Sequence, residues 1–187
     1  NKMTFGLTYA SSEHFILVLS HDEVVHLKCS MINKMPGLGE DKFSNLKAGY
    51  TFMLGHPGKK LLFMGQDFGQ IDEWNENASL EWELLQYPLH KNMQSYVRAL
   101  NHMVLEHPAL YEEDFDPSGF EWINCSYHEE SMVLYVRRSK DGKETLLFIC
   151  NFDNVEHEKF RLGGPFAGKY KEIFNSDARE FGGQGRI

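Results

Sequence analysis

The pattern of apolar and polar residues divides the chain into an α/β part followed by an all-β part. Five consecutive apolar residues at 15–19 and four at 61–64 predict two buried strands. Apolar residues at helical spacing predict one helix at 40–54 and a second from Pro88 until Pro108. Strands that are apolar on both faces are typical of parallel sheets covered by helices. The order strand, helix, strand, helix therefore predicts two successive strand–helix units.

Beyond about Asp116 the period changes from helical to alternating, which predicts a small antiparallel β-sandwich. Five short strands are expected, at residues 120–124, 132–138, 145–151, 158–162 and 170–174. We place the domain boundary near residues 115–119. The predicted organisation is an α/β domain at 1–115 and an all-β domain at 116–187.

Length and composition indicate a folded piece of a larger protein. The chain has 187 residues, of which 42% are hydrophobic, and this suits a globular domain with one or two cores. It begins at Asn1 instead of Met and stops just after a glycine-rich turn, so we expect both ends to be cuts. Two barrel-type strands are also too few for a complete α/β barrel, which needs about 250 residues.

Charge and cysteine content restrict the partners and the compartment. A formal net charge of -8 argues against binding to nucleic acid or to an anionic membrane surface. No apolar run reaches the roughly 18 residues that a membrane span requires. Cys29, Cys125 and Cys150 are odd in number and lack the short spacings of metal sites, so a disulfide framework is not expected. A reducing, cytoplasmic location is the expectation.

The candidate site is the polar run His21-Asp22-Glu23, which directly follows the first strand. In α/β barrels, residues at the C-terminal ends of the strands build the active site. Two acids beside a histidine suit metal binding, acid–base chemistry or contacts to sugar hydroxyls. A zinc helix is disfavoured because His21 and His26 are five residues apart, whereas that motif needs a spacing of four. A structural role, in which His21 and Asp22 cap the strand and pair with a loop, stays open.

A resemblance to a known family selects among these options. Segments of this chain resemble the 1,4-α-glucan (glycogen) branching enzymes of the α-amylase superfamily. The resembling segments in the first part are residues 19–26, 35–37, 56–65, 73–75 and 79–82. The resemblance continues at residues 115–117, 119–123 and 175–177. It implies a (β/α)8 TIM barrel followed by an all-β domain, with this chain covering the last two strand–helix units and the domain behind them.

The resemblance also implies roles for the candidate residues. Asp22 would be the carboxylate that stabilises the transition state, and His21 would bind a sugar hydroxyl at the cleavage subsite. Retaining glycoside chemistry proceeds through an oxocarbenium-like transition state, which contacts to ring hydroxyls favour. From the residues themselves, Glu23 either orients His21, contacts the glucan or is a solvated loop acid. Trp74 and Trp82, which flank the long loop, either stack on a sugar ring or pack in a core or loop. No metal or organic cofactor is implied, and the substrate would be an α-glucan such as glycogen or amylose.

The family's nucleophile and acid/base lie upstream of anything that this chain matches. The isolated chain is therefore predicted to be inactive, and its cut barrel strands are expected to expose edges through which it self-associates. Two alternatives stay open. One is a fragment of an α-amylase-type or debranching hydrolase, and the other is a non-catalytic glucan-binding module.

Overall fold

The computed structural model describes residues 14, 16–124, 126–127 and 129–186, so Phe15 and Cys125 lie outside the described residues. The elements, in chain order, are β1 (Ile16–Leu19), α1 (Glu40–Gly55), β2 (Lys59–Leu62), α2 (Pro88–Glu106), β3 (Phe120–Asn124), β4 (Met132–Arg138) and β5 (Thr145–Asn151). Short 3-10 turns connect several of them.

The chain forms two compact units, each assembled from separate segments. The helical unit consists of Leu17–Thr51, Lys60–His102 and Glu172–Ile187. The sheet unit consists of Phe52–Lys59, Met103–Lys171 and the residues up to Ile16. We describe each unit by itself.

The predicted order of strand, helix, strand and helix is confirmed, but the prediction that both strands are buried is wrong, since Ile16 is 59% exposed and Leu61 is 38% exposed. β1 and β2 are neighbours in a two-stranded sheet. α1 begins with Glu40 and Asp41, whose negative charges suit the positive end of the helix dipole. β2 ends at Leu62, two residues earlier than its apolar run suggested. β2 therefore starts at Lys59, two residues before the apolar run, and Phe63 lies in the loop that follows the strand.

The core of the helical unit lies between α1 and α2. Tyr96 of α2 is fully buried and donates a hydrogen bond from its hydroxyl to the carbonyl of Lys47 in α1 (3.2 Å). The Tyr96 ring also packs edge-on against Phe181, with 5.1 Å between centroids. Burying an aromatic or aliphatic side chain of this kind stabilises a fold by about 1.5–3 kcal/mol. No helix in the described part of the chain is both long and apolar enough to cross a membrane.

The core of the sheet unit is a three-stranded antiparallel sheet in the order β3-β4-β5. Tyr135 of the central strand pairs in register with Trp122 on one side and with Phe148 on the other. Its ring stacks on that of Phe148, with centroids 4.8 Å apart and planes inclined by 4°. All three strands have the predicted bounds. Cross-strand aromatic pairs of this type explain why an alternating pattern specifies the register here.

The prediction of five strands is wrong for the described residues, since 158–162 and 170–174 form no strand. Lys159 has a φ of 54°, which breaks an extended run in its middle. The Tyr170 hydroxyl donates back to the carbonyl of Phe166 (2.7 Å), so this segment satisfies its polar groups locally and not through a ladder. The described all-β part is a single three-stranded sheet and not a five-stranded sandwich.

Arg137 is a fully buried charge in the centre of the sheet unit. Its guanidinium donates to Asp114 Oδ1 (3.0 Å), to the carbonyl of Gly55 (3.0 Å) and to the carbonyl of Gly119 (3.1 Å). Lys59 Nζ donates to the second oxygen of Asp114 at 3.0 Å. Burial lowers the pKa of Arg137, and the contact with Asp114 opposes that effect. These contacts join β4 to the end of α1 and to the segments before β3.

Candidate functional site

The candidate pair stands directly behind the end of β1 in the helical unit. His21, Asp22 and Glu23 form one 3-10 turn, closed by a hydrogen bond from the Val24 amide to the carbonyl of His21 (2.9 Å). The side chain of His21 is 55% exposed and that of Asp22 is 72% exposed. The turn therefore directs both polar groups outward, where they are free to meet a ligand.

The two side chains contact each other. His21 Nε2 lies 3.3 Å from Asp22 Oδ1. An exposed pair at this distance contributes only about 0–1 kcal/mol to stability, so the fold does not depend on it. In the part of the chain that the structure describes, neither side chain hydrogen-bonds to a neighbouring loop, and Ser20 makes no side-chain capping bond. The geometry does not support the capping role that the sequence left open.

Trp74 lies beside the loop that continues from this turn. Its amide donates to the carbonyl of Val24 (3.0 Å), and its ring packs edge-on against Phe63 with 5.0 Å between centroids. The His21 ring is 6.1 Å from the same Phe63 ring, on centroids. One phenylalanine thus neighbours both His21 and Trp74, two of the residues predicted for the site.

A small, shallow depression, partly open to solvent, adjoins Trp74. Its lining residues come from the loops after β1 and β2 and include Val24, Met31, Gln66 and Gln70. His21 and Asp22 are not among the lining residues. Trp74 therefore lines this depression. The His21–Asp22 pair does not line it and lies on the exposed turn that directly precedes the lining residue Val24.

The remaining candidates are placed as follows. Glu23 is exposed, and its amide donates to the carbonyl of Ser20 (3.2 Å). Trp82 is 53% exposed, packs on Phe68 (5.3 Å between centroids) and does not line the depression. Cys29 is a free, exposed thiol. Among the described residues there is no group of three or more His, Cys, Asp or Glu side chains that could hold a metal ion.

The loop behind the site turn is held in an unusual conformation. His26, Leu27 and Cys29 have φ values of 57°, 65° and 66°. Left-handed backbone of this kind costs about 1–3 kcal/mol for each residue other than glycine, so the surroundings must hold it in place. The carboxylate of Glu73 does so: Oε2 accepts from the Leu27 amide (3.0 Å) and Oε1 accepts from the Cys29 amide (2.6 Å).

A second carboxylate, that of Glu81, binds the backbone of the loop after β2. Glu81 Oε2 accepts hydrogen bonds from the amides of Ile71 (2.7 Å) and Asp72 (2.9 Å). The carbonyl of Ile71 then accepts from Ser30 Oγ (2.7 Å) and from Asn33 Nδ2 (2.9 Å). The loop after β1 is thus joined to the loop after β2 by Glu73 and by Ser30 and Asn33, while Glu81 holds the backbone of the loop after β2 in place. The sequence analysis missed both glutamates, although each lies inside a segment that carries the family resemblance.

Comparison with known proteins defines the class first. Residues 122–187 match the family model of the alpha amylase C-terminal all-beta domain. The chain therefore carries the C-terminal all-β domain of the α-amylase superfamily, in agreement with the antiparallel sheet.

The relatives define the family more narrowly. The chain is 53% identical over 186 residues to the 1,4-alpha-glucan branching enzyme GlgB of Gloeobacter violaceus, covering 100% of this chain and 25% of the relative. It is 51% identical to that of Butyrivibrio fibrisolvens and 49% identical to that of Aquifex aeolicus, in both cases over 98% of this chain and 29% of the relative. Over its full length the chain matches the C-terminal region of 1,4-alpha-glucan branching enzymes, as the resemblance implied. It spans about a quarter of the length of these relatives.

Proposed function

We propose that this chain is the C-terminal part of an enzyme that cleaves α-1,4 glucosidic linkages and re-forms the released chain as an α-1,6 branch. The observation that carries the proposal is the exposed His21–Asp22 pair behind β1, in a chain about half identical to branching enzymes over its full length. The contribution of this pair to stability is small, so replacing either residue should leave the fold intact and report on function alone.

The proposed architecture places this pair at the active-site face of a barrel. Residues 1–115 would supply the last two strand–helix units of a (β/α)8 TIM barrel, and residues 116–187 an all-β domain. The pairing of β1 with β2 and their alternation with α1 and α2 support this arrangement. In such barrels the loops after the strands carry the catalytic groups, and the turn at His21 would be one of these loops.

The proposed division of labour follows from the chemistry of glycoside cleavage. Asp22 would accept hydrogen bonds from ring hydroxyls of the distorted sugar, and His21 would donate to a hydroxyl at the same subsite. Both are proposed as catalytic residues, and Glu23 and Trp74 as further glucan contacts. A tryptophan face suits a sugar ring because both present apolar C–H or π surface.

We further propose that the partner is an α-glucan, and neither a nucleic acid nor a membrane. The acidic net charge of -8 supports this, since it would repel polyanions. The reaction would need no metal and no organic cofactor, and it would take place in the cytoplasm. The 187-residue chain alone would be inactive, because the resemblance assigns the nucleophile and the acid/base to regions of the relatives that it does not match.

The test uses the full-length protein that carries this chain, incubated with amylose. We expect the iodine spectrum to change without a matching rise in reducing ends, because a branching transfer leaves the number of reducing ends unchanged. Asp22→Asn should lower kcat by about 100- to 1,000-fold, since contacts to the transition state contribute several kcal/mol and 1.36 kcal/mol is tenfold. Thermal stability should stay unchanged, because Asp22 is an exposed group and not a packing group.

Glu76→Gln is the matched control, since Glu76 is an exposed acid outside the candidate residues. It should behave as the wild type does. Steady release of reducing sugar by the wild type would show a hydrolase instead of a transferase. Full activity of Asp22→Asn would remove the role that we assign to this carboxylate.

A further inference from the structure

We infer that Glu73 is a positioning residue that fixes the backbone of Asp22 through Lys28. The inference rests on the proposed function, because it concerns the same site. Glu73 does not touch the reacting groups itself. It holds the loop from which Lys28 reaches back to the catalytic turn.

The contacts form a continuous chain. Glu73 binds the amides of Leu27 and Cys29, the two neighbours of Lys28, with its two carboxylate oxygens. Lys28 Nζ donates to the backbone carbonyl of Asp22 at 2.6 Å. One carboxylate therefore fixes the backbone on both sides of the residue whose ammonium group holds the Asp22 carbonyl.

The contact with the Asp22 carbonyl bears on the position of its side chain. The carbonyl belongs to the peptide plane between Asp22 and Glu23, which contains the Cα of Asp22, so a donor that holds this plane also restrains the atom from which the side chain starts. Among the described residues, two backbone bonds close the same turn, from the Glu23 amide to the Ser20 carbonyl and from the Val24 amide to the His21 carbonyl. Lys28 adds a third restraint, which is charge-assisted and hence stronger than a neutral hydrogen bond.

A neutral residue cannot take the place of Glu73. Both loop partners are N–H donors, so the group that binds them must offer two acceptors. A glutamine offers one oxygen and one NH2 group, and the NH2 group would face an N–H donor. The loop residues Leu27 and Cys29 would then lose the contact that holds their left-handed backbone.

The test compares variants of the full-length enzyme in kcat and KM for amylose. Glu73→Gln should lower kcat by about 10- to 100-fold, as expected for a misplaced catalytic group, while KM stays within about twofold. Glu73→Asp, which keeps both acceptors, should recover part of the loss. Lys28→Met should lower kcat to a similar degree, and the double variant should fall no further than the lower single variant, because the two residues act in series. Glu76→Gln should match the wild type.

Hydrogen exchange at the Leu27 and Cys29 amides provides a readout that does not depend on activity. Glu73→Gln should speed this exchange, and Glu76→Gln should leave it unchanged. Wild-type kcat for Glu73→Gln, or fully additive losses in the double variant, would overturn the inference while leaving the proposed function in place. A wild type that makes no branches would refute the proposed function. In that case amide exchange still tests the contact of Glu73 with the loop, and exchange in Glu73→Gln at the wild-type rate would refute it. If Glu73→Gln does not fold, the kcat of Lys28→Met decides, since Lys28 is exposed.

Discussion

Removing the carboxylate of Asp114 should strongly destabilise the sheet unit. The Arg137 side chain is 0% exposed and that of Asp114 is 3% exposed, so neither charge has water to replace its partner. Asp114→Ala would leave the guanidinium with two backbone carbonyls, those of Gly55 and Gly119, and with no counter-charge. The variant therefore keeps a buried cation that the rest of the fold does not neutralise.

The magnitude follows from the burial of the pair. Breaking a buried ion pair by deleting one partner costs about 3–5 kcal/mol. The contact between Asp114 and Lys59 adds about 0–1 kcal/mol, because the Lys59 side chain is 57% exposed. For a chain of 150–250 residues each kcal/mol shifts the midpoint by about 2–4 °C, so a total loss of about 3–6 kcal/mol should lower the Tm by roughly 6–24 °C.

The assay is thermal and urea unfolding of the 187-residue chain, followed by circular dichroism at one protein concentration. Glu121→Ala is the matched control, because it breaks the pair with Arg138, the next residue along β4, whose side chain is 31% exposed. The control should cost about 1 kcal/mol or less. Arg137→Met combined with Asp114→Leu should recover most of the loss, since it removes both charges. Equal stabilities of Asp114→Ala and Glu121→Ala would refute the reasoning.

Two further predictions concern the cysteines and the strand edges. Burial raises the pKa of Cys150 to about 12, so iodoacetamide at pH 8 should label the exposed Cys29 and leave Cys150 unlabelled until the chain unfolds. Peptide mass spectrometry measures the labelling, and rapid labelling of Cys150 in the folded chain would contradict its burial. The isolated chain should self-associate through the edges of the β1–β2 sheet, as light scattering would show, and a monodisperse monomer would argue against this.

Local patterns in the sequence predicted most of the regular elements. α1 and α2 follow from apolar residues at helical spacing, and their predicted ends lie within a residue or so of Gly55 and Glu106. β4 and β5 have the predicted bounds because alternation, turn residues and a partner strand act together there. These signals are local, so a single sequence carries them.

The errors in the fold arise where a pattern needs a distant partner. Residues 158–162 alternate as a strand does, but a strand is stable only when another strand pairs with it. In the described chain this segment has no such partner, and Lys159 adopts a left-handed conformation that ends any extended run. Propensity alone did not reveal this.

The residues of the candidate site were also predictable only in part. His21 and Asp22 were predictable because they follow an apolar run typical of a strand, and active-site residues of α/β barrels lie at the C-terminal ends of the strands. Glu73 was not predictable, because it acts on backbone amides 46 and 44 residues away, and such bonds place no demand on the identity of Leu27 or Cys29. A carboxylate that holds a loop by its backbone leaves no pattern at the loop itself.

The most direct test of the central claim is a crystal structure of the full-length protein with a bound maltooligosaccharide. We expect a carboxylate oxygen of Asp22 and a ring nitrogen of His21 within about 2.6–3.2 Å of hydroxyls on one glucose unit. Electron density for a glucan chain in the catalytic cleft that passes far from both side chains would contradict the account.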